Sequence, residues 1–343
     1  MQRNMQLPGG RRSLIALGSV LVAGLLAACD STTPTPTSPT ARPAKVNADI
    51  TLPGCNVDTC TSPPRILFTN AKDGNSEIYS MNANGTDQKR LTFNPATDNF
   101  ASWSPDYTKV VFASTRTGGV FNIFTMNADG SNVQQLTWAG VNAWPRWSPD
   151  GTKIAFHRTW DKRRYQIMIM NADGSGLHGL RDLPNVDDGQ PAWSPDGTRI
   201  AFKSNAADPA YGGYDIWTAR ADGGDAVRIT TTNNAGEPAY SPTGTKIAFT
   251  EGLYGTLTKG IYLTSAFGGG TPTLITTSAG FDENPTFRPD GKRIAYASTR
   301  LWGGAMGGNV KWSILTVDLD GKFLSVPSAS MFIDNLYPSW GVH

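Results

Sequence analysis

The sequence predicts an all-β chain folded as a six-bladed β-propeller, with four antiparallel strands per blade and the ring closed by the C-terminal strand. Three observations predict it. An aromatic residue followed by Ser-Pro-Asp-Gly or a close variant recurs at Trp103, Trp147, Trp193, Tyr240 and Phe287, with Trp340 as a sixth anchor, at intervals of 44 to 53 residues. A period in the forties with strand and turn chemistry inside each unit marks a propeller blade. Each anchor but the last is followed by a short unbroken apolar run such as Ile154-Ala155-Phe156 or Ile200-Ala201-Phe202, as expected of a strand covered on both faces by neighbouring blades. The two ends of the array are also complementary. Arg65-Ile66-Leu67-Phe68-Thr69 reads as a second strand with no aromatic strand before it, and Tyr337-Pro338-Ser339-Trp340 reads as that missing strand. Joining them removes two open sheet edges.

Within a repeat, each element has a local cause. The first strand ends at the aromatic anchor. Ser148-Pro149-Asp150-Gly151 then supplies a type I turn, with Ser opening it, Pro fixing φ and Gly closing it. The second strand carries Ala155, Ala201, Ala248 and Ala295 at one recurring position, where a neighbouring blade comes close. The third strand, such as Asn122–Met126 or Gln166–Met170, runs into Asp129-Gly130 or Asp173-Gly174. Asp-Gly between strands marks a tight hairpin, and these loops lack the successive carboxylates of a calcium loop. A short fourth strand such as Gln134–Thr137 or Val227–Thr230 completes the blade. Second strands near Ile66, Val110, Ile154, Ile200, Ile247 and Ile294 give six blades over residues 65–343.

The phrase Trp-Ser-Pro-Asp-Gly-Thr-Lys-Ile-Ala-Phe, with the Met-Asn-Ala-Asp-Gly-Ser hairpin, resembles the propeller repeat of TolB, the periplasmic component of the Tol system, over about residues 65–343. The resemblance implies the propeller fold and an envelope setting. It implies little about the ligand, because one fold hosts many functions. TolB carries an α/β domain ahead of its propeller, and residues 30–64 do not read as one, so the likeness is to the propeller part.

Residues 1–28 read as a lipoprotein signal peptide. Arg3, Arg11 and Arg12 precede the uncharged stretch Leu14–Ala28, which is too short to span a bilayer comfortably. It ends in Leu26-Ala27-Ala28-Cys29, which resembles the lipobox in which the cysteine is acylated; the alternative is an ordinary cleavage site beside a chance cysteine. Arg11-Arg12 weakly resembles a twin-arginine export signal. Residues 29–64 form a Thr/Pro/Ser-rich tether, too poor in apolar residues to fold. Asp30 after the cysteine resembles an inner-membrane retention signal. Cys55 and Cys60, just before the propeller, read as a small disulfide loop in an oxidising compartment rather than a metal site, which would need further ligands. These features predict a partner in the membrane through a lipid anchor, with the propeller facing the periplasm or the outside.

Charge sets no electrostatic preference. The formal net charge is +2, and three arginines but no acids lie in residues 1–28, so the remainder carries −1. No basic field marks a nucleic-acid partner. The three histidines, His157, His178 and His343, form no Ser/His/Asp or His-Glu pattern, and no catalytic residue is assigned.

One constellation points to a ligand. Polar residues enter each first strand just before its anchor: Asp98, Asn142, Asp188 with Gln190, Glu237, Asp282 with Asn284, and Asn335. First strands line a propeller's channel, so these residues are expected to ring one mouth, with Phe100, Trp144 and Tyr337 offering an aromatic face. Turn and cap chemistry on a solvated rim is the plainer account. Two functions follow: a binding or scaffold lipoprotein that holds an envelope protein, peptide or glycan at the mouth, or a metal-dependent hydrolase or lactonase with a cation, calcium for instance, in the channel.

Overall fold

The structure, a computed structural model, describes residues 65–341 apart from 161–163, 211, 253–257, 277–279, 300–311 and 329–335. Cys29, Cys55, Cys60 and Asn335 lie outside the described residues. Six four-stranded antiparallel sheets make up the fold, and no helix occurs among the described residues.

The first sheet holds β1 (Arg65–Asn70), β2 (Glu77–Asn82) and β3 (Lys89–Arg90). The second holds β4 (Asp98–Trp103), β5 (Lys109–Ser114), β6 (Asn122–Asn127) and β7 (Gln134–Gln135). The third holds β8 (Val141–Trp147), β9 (Lys153–Thr159), β10 (Gln166–Asn171) and β11 (His178–Gly179). The fourth holds β12 (Asp188–Trp193), β13 (Arg199–Ser204), β14 (Asp215–Arg220) and β15 (Val227–Arg228). The fifth holds β16 (Ala235–Tyr240), β17 (Lys246–Gly252), β18 (Lys259–Ser265) and β19 (Thr273–Leu274). The sixth holds β20 (Asp282–Phe287), β21 (Arg293–Ser298), β22 (Ser313–Asp318) and β23 (Phe323–Ser328). The last strand, β24 (Leu336–Gly341), pairs with β1 as the first strand of the first sheet. The expected closure is therefore observed, with Ile66 opposite Trp340.

The Ser-Pro-Asp-Gly turns are held by their own side chains. Ser148 Oγ donates to Asp150 Oδ1 at 2.5 Å and accepts the Lys153 N–H at 2.9 Å, while Gly151 N–H closes the turn on the Ser148 carbonyl. Gly151 adopts φ +69°, the left-handed conformation that lets a type I turn feed a hairpin. Ser104 and Ser194 repeat these bonds with Asp106 and Asp196. These serines and aspartates are thus engaged in making the turn.

Packing between blades follows the sequence of each second strand. Its Ile and Phe point to one side and its Ala, one residue along, to the other, as strand alternation requires. Ala155 packs with Ile200 and Phe202 of the next sheet, Ala201 with Ile247 and Phe249, and Ala248 with Ile294 and Tyr296. Ala295 closes the circuit against Ile66 and Phe68. All these side chains are fully or almost fully buried, and each large one contributes about 1.5–3 kcal/mol. The small residue lets the sheets approach, and the large residues of the next blade fill the space.

The Asp-Gly hairpins are seated just as tightly. Gly223 follows Asp222 at φ +86°, and a methyl group there would overlap the Leu180 carbonyl oxygen of the preceding blade. Glycine is required there by backbone conformation and by space together.

Candidate functional site

First strands β4, β8, β12, β16, β20 and β24 each touch the next, forming the wall of the axial channel. Each carries a bulge two residues wide, where the register with the second strand shifts. The first bulged residue is Phe100, Trp144, Gln190, Glu237, Asn284 or Tyr337, and all six are left-handed, with φ between +55° and +61°. Proline follows five of them, at Pro145, Pro191, Pro238, Pro285 and Pro338, since a bulge leaves a position with no ladder bond to lose. Left-handed backbone is rare for bulky side chains and persists only where the surroundings impose it. Six equivalent bulges impose one such ring around the channel.

The ring has two unlike halves. Phe100 lies against Trp144 and Tyr337, with ring centroids 4.6 and 4.4 Å away, and Trp144 meets Tyr337 edge-on at 5.2 Å. Across from them, the polar members hand hydrogen bonds from blade to blade. Gln190 Oε1 accepts the Glu237 N–H at 3.1 Å, and Glu237 Oε2 accepts the Asn284 N–H at 2.8 Å and the Thr250 hydroxyl at 2.7 Å. The relay stops at Asn284. Its side chain is only 6 % exposed, and neither Nδ2 nor Oδ1 has a partner.

The expected single ring of carboxylates resolves into two layers. Asp98, Asn142, Asp188 and Asp282 sit two residues before the left-handed ring and are buried. Arg116 donates to Asp98 at 2.8 Å, Arg158 to Asn142 at 2.7 Å, Arg181 to both oxygens of Asp188 at 2.5 and 2.8 Å, and Ser298 to Asp282 at 2.5 Å. Of the expected residues, the structure brings Phe100, Trp144, Gln190, Glu237, Asn284 and Tyr337 together at one level. It sets Asp98, Asn142, Asp188 and Asp282 apart in side-chain pairs, because the bulge turns its own residue to the axis and the residue two before it into the blade. Among the described residues no group of three or more His, Cys, Asp or Glu is placed to hold a metal ion.

Above the ring, the mouth is aromatic. Phe121, Tyr165, Tyr214 and Trp312 stand immediately before third strands, and Lys259 opens one. The carbonyls of Phe121, Tyr165 and Tyr214 accept the N–H groups of Asn142, Asp188 and Ala235 in the adjoining sheet at 2.8–2.9 Å. Lys203 Nζ lies 4.5 Å from the Tyr214 ring centroid, Tyr214 donates to Asp187 at 3.0 Å, and Lys259 pairs with Glu283 at 2.6 Å. Burial pushes Lys203 down from its ordinary range; at Lys259 the nearby Glu283 and Glu237 carboxylates outweigh burial and push it up. Burial also holds His157 neutral, near a pKa of about 3, with Lys203 adding to the effect. The aromatic residues Phe121, Tyr165, Tyr214 and Trp312 were not singled out from sequence. The available signal was an aromatic residue directly before a polar-led third strand, as in Phe121-Asn122, Tyr165-Gln166, Tyr214-Asp215 and Trp312-Ser313.

Below the ring, a cavity of about 270 Å³ extends to the Ser-Pro turns on the opposite face. Arg146 enters it from β8, at the position filled elsewhere by Ser102, Ala192, Ala239, Thr286 and Ser339. Its backbone is fixed by the Trp193 indole N–H, which donates to the Arg146 carbonyl at 3.2 Å, and its guanidinium donates to the Pro145 carbonyl at 2.9 Å. It is partly exposed, and burial pushes its pKa down to about 10, against the pull of Glu237. Burial and Glu283 push the Glu237 carboxyl up.

The comparisons agree with this architecture. The family model described as the TolB beta propeller domain matches residues 51–178 and 139–252. TolB from Acinetobacter baumannii is 20% identical with a TM-score of 0.67, covering 81% of this chain and 66% of that one. A putative TolB from Agrobacterium tumefaciens is 19% identical with a TM-score of 0.59, covering 82% and 92%. A chain of a nidogen/laminin complex is 13% identical with a TM-score of 0.63, covering 81% and 98%. At such identities the structures speak for the fold alone. The family match, spanning more than half of the sequence, says more: this chain belongs to the TolB β-propeller family.

Proposed function

We propose that this protein is a binding or scaffold lipoprotein of the cell envelope, tethered through Cys29, that holds a segment of a partner protein at the aromatic mouth of its propeller. The observation that carries the reading is the mouth itself. Stacking surfaces at Phe121, Tyr165, Tyr214 and Trp312 surround charges of both signs at Lys203, Lys259, Glu283 and Asp187. Rigid aromatic anchors beside mixed charges suit a polypeptide, whose side chains alternate between apolar and charged groups. Family membership supports the envelope setting, and the lipobox-like Leu26-Ala27-Ala28-Cys29 supports the anchor.

The test is cross-linking in envelope preparations, with captured proteins identified by mass spectrometry. Tyr214→Ala and Phe121→Ala should each cut recovery of a captured protein at least tenfold, as loss of an interface anchor costs about 2 kcal/mol or more. Val133→Ala, on the opposite face, should leave recovery unchanged. Equal capture by all three variants, or capture of glycan alone, would set the reading aside.

A further inference from the structure

We infer that the chamber below the left-handed ring is a separate binding site for a small zwitterion, of the size and charge pattern of a free α-amino acid. Arg146 and Glu237 line the same cavity, yet no ion pair of 4 Å or less joins them. The guanidinium has five N–H donors, and its hydrogen bond is to the neighbouring Pro145 carbonyl. Strand β12 stands between β8 and β16 in the ring of first strands, so the two charges line separate walls of the chamber.

Charge balance selects the class. With Glu237 ionised, the chamber walls offer one cation and one anion, so a ligand of either sign alone would leave an uncompensated charge in a poorly solvated space. A zwitterion satisfies both. Its carboxylate takes the planar fork of Arg146, which matches it in a bidentate manner. Its ammonium takes the Glu237 carboxylate. At about 270 Å³ the chamber falls at the small end of ligand pockets, fit for a metabolite rather than a polypeptide. It opens on the face of the Ser-Pro turns, opposite the aromatic mouth, so this inference stands apart from the proposed partner site.

Arginine in this place is a departure within the chain itself. The other five repeats put Ser, Ala or Thr there, which the propeller plainly tolerates. An arginine needed for folding would be expected to take a carboxylate within reach, as Arg116 does with Asp98 and Arg181 with Asp188.

The experiment uses the purified full chain and a panel of the twenty free amino acids, read by thermal shift and then calorimetry. At least one should raise Tm by about 5 °C when present at a hundredfold excess over its Kd. Its N-acetyl form and its amide, each lacking one charge, should bind at least tenfold more weakly. Arg146→Gln should lose binding, and Arg146→Lys should recover part of it. Ala192→Met narrows the chamber while keeping every polar group, and should also lose binding, which guards against misfolding of the arginine variants. No shift with any amino acid, or binding that survives both blocked derivatives and Ala192→Met, would overturn the inference.

Discussion

At the scale of single residues, the channel depends on groups held away from their ordinary states. Glu237 is the clearest. Its carboxyl is raised by burial and by Glu283, so the folded protein keeps the proton that the unfolded chain has already released. Below the ordinary glutamate range, near pH 4, both states are protonated and nothing is lost. As pH rises past that value the unfolded chain ionises first, and stability falls until the folded carboxyl ionises too. Glu237→Gln should remove this loss, so the variant's Tm relative to the parent should climb over the interval that begins near pH 4. A relative Tm that falls over that interval would mean that the bonds from Asn284 N–H and Thr250 to the ionised form dominate. Gly223→Ala belongs to the same scale. It forces a side chain into left-handed backbone and against the Leu180 carbonyl, and should cost about 2–4 kcal/mol in denaturant unfolding. The aromatic and polar members of the ring, from Phe100 to Tyr337, were legible in the sequence because they stand just before an aromatic anchor. Arg146 was equally visible as the odd residue of its column, but only the bulge geometry gives that column a direction. Asp98, Asp188 and Asp282 read as mouth residues because sequence position alone does not tell which way a strand residue faces across a bulge.

At the scale of elements, β24 matters most. It covers β1 and places Trp340, nearly buried, against Ile66 and Arg288. Trp340→Ala should cost about 3–5 kcal/mol, and deleting residues 337–343 should cost more, since it also opens two sheet edges. A truncated protein that melts with the parent would contradict the pairing. The strands and turns of each blade were readable because their causes are local: Ser-Pro-Asp-Gly makes its own hydrogen bonds, and Ile-Ala-Phe carries its two packing faces in three residues. The mouth aromatics were not, because Tyr165 and Tyr214 acquire a common surface only when separate blades close around one axis.

At the scale of the whole molecule, six repeats of similar sequence yield a channel that is not symmetric: aromatic on one side, polar on the other, with a single arginine in its lower chamber. The architecture comes from what the repeats share and the chemistry from where they differ, so the repeat that reveals the fold hides the site. The proposed tether makes its own prediction. Cys29→Ala should move the protein from the membrane to the soluble fraction, and mass spectrometry of the parent should find lipid on Cys29; a mature chain that begins elsewhere would remove the anchor. The pairing of β24 with β1 has a further consequence in time. A ribosome delivers β1 hundreds of residues before β24, so the first sheet must wait as a half-clasped hem while five others are finished. Any copy cut short before β24 keeps that hem open, an exposed edge that housekeeping proteases can read. Completion of the ring is thereby also a proof that β24 has been made.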